Sequence, residues 1–82
     1  MSRFQNIVVI ENIAEAIRDY ITRNPTATDT AKGIAGWWLR PEYKYYGIDY
    51  IQQALDKLEN EGFLVKQCLP GGSVIYRRPN AK

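Results

Sequence analysis

The stretch GIDYIQQALDKLENEGFLVKQCLPGGSVIYRR, residues 47–78, constrains the fold more than any other part of the chain. Its first half repeats apolar residues with the helical period. Ile51, Ala54, Leu55 and Leu58 make one stripe, with Ile48 at its edge. Gly62 then stands where a helix end calls for positive φ. Phe63 follows at the position that contacts Leu58 in a Schellman stop. Beyond it the period changes. FLVKQCL (63–69) and VIYRR (74–78) are rich in strand formers. LPGGS joins them, and Gly71 and Gly72 supply the positive φ of a tight hairpin. The pattern predicts a helix over 48–61, a two-stranded hairpin over 63–78 and a frayed tail at 79–82. A lone hairpin is marginal in water, so this one must pack on helices.

The helices are supplied upstream. In IVVIENIAEAIRDYITR, Ile10, Ile13, Ala14, Ile17 and Ile21 share one face, predicting a helix over 7–23. Asn24-Pro25 ends it, because the residue before proline disfavours the helical region. Ile7 to Val9 read either as its first turn or as an extended lead-in. ATDTAKGIAGWWL predicts a second helix over 28–39, capped by Thr26 with Asp29 or by Thr28 alone. Ala31, Ile34, Ala35 and Trp38 form its stripe. Gly33 and Gly36 each weaken it by about 1 kcal/mol relative to alanine, and they allow a neighbour to approach closely. RPEYKYYG (40–47) is the connector: Pro41 blocks continuation and Gly47 punctuates the far end. Three helices followed by a hairpin, in 82 residues, predict one α+β domain.

Composition narrows the chemistry. The chain has one cysteine, Cys68, and no histidine. An internal disulfide, a Cys/His zinc site and a Cys–His nucleophile within one chain are therefore excluded. Cys68 reads as a small apolar residue on a strand. PGGS is a hairpin turn rather than a phosphate loop, because no helix or lysine follows it. No carboxylate pair stands out by its spacing. The expectation is a protein that is not an enzyme, with no catalytic residue, metal or cofactor. No run approaches the ~18 apolar residues of a membrane span, and Ile7–Ile10 is too short for a signal segment. A cytoplasmic location follows as an expectation.

ALDKLENEGFLV followed by VIYRR resembles the winged helix-turn-helix superfamily. Leu55, Leu58, Gly62, Phe63, Val74 and Tyr76 carry the likeness. It implies a three-helix winged helix-turn-helix with a C-terminal two-stranded β-hairpin wing. It also implies a double-stranded DNA partner and a role like that of a transcriptional regulator, with the third helix in the major groove. The connector departs from the family, whose turn is usually three or four residues. The resemblance places Asp49, Tyr50, Gln53 and Lys57 at the groove. An amide at Gln53 matches adenine, and Asp49 can accept from a cytosine amine. Tyr50 can donate to a phosphate.

Charge complicates that reading. Net charge is +2, and its surplus lies late, in Lys66, Arg77, Arg78 and Lys82. The phosphate-contact candidates are Arg40, Lys44, Lys66, Arg77 and Arg78. Yet the outward positions of the third helix are Asp49, Gln53, Asp56 and Asn60, which present acids to a polyanion. Such a monomer binds DNA weakly and with marked salt dependence, and a dimer reading two half-sites is the usual remedy. A second reading rests on the aromatic cluster. Trp37, Tyr43, Tyr45 and Tyr46 are candidates for a protein interface, with a homodimer or another protein as partner. The same rings can instead pack as a satellite of the core, or stack on nucleic acid.

Overall fold

The computed structural model describes residues 3–79, with side chains from Asn6 onward except that of Lys44. The tail expected at 79–82 therefore lies outside the described residues from 80 on. Helix α1 (Arg3–Arg23) starts before Ile7, so Ile7 to Val9 are helical. Ile13, Ala14, Ile17 and Ile21 are buried along its stripe, and Ile10 packs against the core. At its end the Asn24 backbone N–H and side-chain amide both donate to the Tyr20 carbonyl, at 2.8 and 3.0 Å. Pro25 then turns the chain away.

The next segment corrects the expected second helix. Thr28–Asp29 form a short strand, β1, and the helix begins only after them. Its N-cap is Thr30, not Thr26 or Thr28: the Thr30 Oγ1 accepts from the Gly33 N–H at 3.1 Å. Helix α2 (Ala31–Gly33) runs on as a π-helical turn over Ile34–Trp38. The Asp29 carboxylate lies over Gly33, where any Cβ would overlap it. Gly33 thus permits the close approach expected of it. Gly36 has open space beside it. The connector is a 3-10 helix over Pro41–Tyr46.

Helix α3 (Ile48–Asn60) buries Ile51, Ala54, Leu55 and Leu58, as its stripe predicts. Its stop has the Schellman pattern. The Phe63 N–H donates to the Leu58 carbonyl at 2.9 Å, the Gly62 N–H to Glu59 at 3.1 Å, and Gly62 has φ +83°. Strands β2 (Val65–Cys68) and β3 (Val74–Arg77) follow. Between them Gly72 N–H donates to the Leu69 carbonyl at 3.1 Å, with Pro70 and Gly71 (φ +95°) central. That is the type II pattern, with proline first and glycine second.

The sheet has three strands, not the two of the expected hairpin. Its order is β1-β3-β2, all antiparallel, with Thr28 opposite Arg77 and Asp29 opposite Tyr76. The third strand satisfies backbone groups on the otherwise open edge of β3. The outcome is a small α+β domain of three helices and a three-stranded sheet. One core joins them: α1 packs on α3, and Ile34, Trp38, Leu39, Leu64 and Tyr76 close it. No helix among the described residues is long and apolar enough to cross a membrane.

Candidate interaction surfaces

Helix α3 divides into three faces, and each of its polar side chains goes where its turn of the helix sends it. The core stripe fixes the inward direction. On the flank toward α1, the Tyr50 hydroxyl donates to Asn6 Oδ1 at 2.8 Å. Lys57 lies on the same flank, with its ammonium 2.6 Å from Glu61 and 3.2 Å from Glu11 of α1. Hydrogen bonding to Glu61 first and Glu11 second holds the Lys57 pKa above its ordinary 10.5. On the flank toward the sheet, Gln52 Nε2 donates to the Tyr76 hydroxyl at 2.7 Å and to Asp56 Oδ1 at 3.1 Å. The outward face carries Asp49, Gln53, Asp56 and Asn60, all exposed. Two acids and two amides stand there, and no cation.

Of the four base-reading candidates, Asp49 and Gln53 therefore share the outward face, whereas Tyr50 and Lys57 are engaged with α1. The phosphate-contact candidates do not share a face either. Lys66 is opposite Tyr76 in the ladder, so both project to the same side of the sheet. Arg77 projects to the other side, where its Nε donates to Gln67 Oε1 at 3.3 Å. Arg78 follows β3 and is exposed. Arg40 stands in the loop before the 3-10 helix, 3.8 Å from Glu42. Lys44 belongs to that helix, its side chain being outside those described.

The aromatic candidates split between core and surface. Tyr43 packs against the core. Trp38 is buried and stacks on Tyr20, with centroids 4.7 Å apart and planes at 16°. Trp37, one residue earlier in the π turn, is 82% exposed, and Tyr45 is 91% exposed. Tyr46 (44%) meets Tyr50 edge to face at 6.1 Å, and Ile48 (46%) adjoins it. The π turn and the 3-10 helix pack on one another, and the 3-10 helix packs on α3.

Sequence reasoning missed several partners. The Gln52–Tyr76 bond and the Lys57–Glu11 pair join distant segments and leave no local trace. Arg18 stacks its guanidinium over the Phe63 ring, 4.6 Å from the centroid, and reaches Glu61 at 3.7 Å. The apolar Ile7 and Val8, both exposed, were legible as residues but not as surface. No protein-family model, curated protein or solved structure matches the chain.

Proposed function

We propose that this chain is a winged-helix-type domain that works as a protein-interaction module. Its contact surface is Trp37, Tyr45, Tyr46 and Ile48, and its partner is a second copy of the chain. The observation that carries this reading is the exposure of these large side chains on three adjoining segments. Exposed Trp and Tyr are enriched at the centres of protein interfaces, and each ring removed from water contributes strongly to association. The four named side chains carry no charge of their own, so they can face their own copy without like-charge repulsion. The acidic face of α3 cannot. A two-fold pairing of one patch with itself is also the commonest form of assembly. The winged arrangement is supported by the order of three helices and a closing hairpin, with β1 completing the sheet.

Sedimentation equilibrium at about 100 μM chain tests the reading. The wild type should run as a dimer and a Tyr45→Ser, Tyr46→Ser variant as a monomer. A monomeric wild type would count against it. DNA binding stands as a second reading, favoured by Lys66 and Arg78. Both are exposed, and neither forms an ion pair among the described residues. As phosphate contacts they would supply a weak, salt-sensitive attraction.

A further inference from the structure

A groove of about 320 Å³ opens between the exposed face of α1 and the chain that leaves the second helix. Glu15 and Asp19 line it from α1, with Arg23 one turn further on. Arg40 faces it from the loop, and Trp38 and Tyr43 contribute aromatic wall. Neither Trp37 nor Tyr45 lines it, so it is separate from the contact surface proposed above.

The charges of this groove are left uncompensated by one another. Glu15, Asp19 and Arg23 form no ion pair among the described residues. Arg23 only donates from Nε to the Asp19 carbonyl, at 3.4 Å. Arg40 reaches Glu42, its neighbour in the connector, at 3.8 Å. Elsewhere α1 does pair its charges across the fold: Glu11 with Lys57, and Arg18 with Glu61. The groove thus keeps two carboxylates and the Arg23 guanidinium free of ion pairs among the described residues, with Arg40 held only by its 3.8 Å contact to Glu42. The lining is mainly polar, with Trp38 and Tyr43 adding a small aromatic area, and convergent polar groups in a concave site are what fix a small ligand's orientation. Guanidinium groups take a carboxylate in bidentate fashion. Carboxylates and ring faces both attract an ammonium.

We propose that the groove binds a small zwitterion of the α-amino-acid class, free or as a dipeptide. Its ammonium lies at Glu15 and Asp19, its carboxylate at Arg40 and Arg23, and its side chain on Trp38 and Tyr43. A Trp37→Phe chain, which leaves Trp38 as the sole tryptophan, reports the binding through Trp38 emission. The probes are leucine, leucylleucine, N-acetyl-leucine and leucinamide. Leucine or leucylleucine should give a saturable change with Kd at or below about 1 mM. Comparing these two tells whether the free amino acid or the peptide is preferred. Blocking either end should weaken binding about tenfold. A Glu15→Gln, Asp19→Asn variant should weaken leucine about tenfold but should not weaken N-acetyl-leucine, which has no ammonium. If that variant does not fold by circular dichroism, the blocked probes on the parent chain still decide. No saturable change with either zwitterion up to about 10 mM would overturn the proposal. So would blocked probes that bind as tightly as the zwitterions. Neither result touches the association test, because the two surfaces share no residue.

Discussion

Lys57 shows how a single side chain changes meaning between a helical projection and a fold. By rotation about α3 it lies on a flank, and resemblance put it at a DNA groove. The flank faces α1, and there Glu11 and Glu61 hold the ammonium at 3.2 and 2.6 Å. Glu61 is one turn away on the same chain and could be anticipated from i,i+4 spacing. Glu11 belongs to another helix, and no local pattern connects the two. The pairing has a pH signature. The folded pKa of Lys57 is raised above 10.5, so its contribution to stability is complete below the unfolded value. That contribution fades as pH rises through the folded value. The stability difference between wild type and Lys57→Met should therefore be constant from about pH 7 to about pH 10 and shrink above it. Urea melts across that range measure it. A difference that stays constant through pH 12 would mean that the ion pairs do not stabilise the fold.

At the scale of elements, what is local was legible and what is long-range was not. The α3 stripe, its stop at Gly62 and the LPGGS turn are written in neighbouring residues, and the structure places each where expected. The second helix was misjudged at its start, since Thr26, Thr28 and Thr30 all suit an N-cap. What selects Thr30 is the pairing of Thr28 and Asp29 with β3, nearly fifty residues later in the chain. A two-residue strand is too short to show a period of two. The π turn was likewise invisible, yet it sends Trp37 to solvent while Trp38 stacks on Tyr20. The strongest element-level prediction concerns the stripe. Leu58 is fully buried in a cluster shared by α1, α3 and the sheet. Leu58→Ala should cost about 2–5 kcal/mol through the cavity it leaves. That is a large share of the ~5–15 kcal/mol that holds a domain together. A loss below about 1 kcal/mol in urea melts would show that the core relaxes into the space.

At the scale of the molecule, the distribution of charge is what favours the proposed protein-interaction reading over the DNA one. The candidate site residues can be named from the sequence, but their grouping depends on the fold. Asp49 and Gln53 stay together on α3, Lys66 and Arg77 part to opposite sides of the sheet, and Tyr43, half-buried, packs against the core. What remains outward on α3 is acidic. What stands outward on the connector is Tyr45 and Tyr46, with Arg40 and Glu42 paired beside them. A helix meant for a major groove gains from cations at its outward face and flanks, and here Lys57 is already neutralised. The most direct test is a fluorescence-anisotropy titration of wild-type chain into mixed-sequence duplex DNA at about 50 mM salt, with folding checked by circular dichroism. No saturable binding is expected. Saturable binding that weakens steeply with added salt, and is lost on Lys66→Ala with Arg78→Ala, would contradict the protein-interaction reading and make the wing a DNA-binding surface.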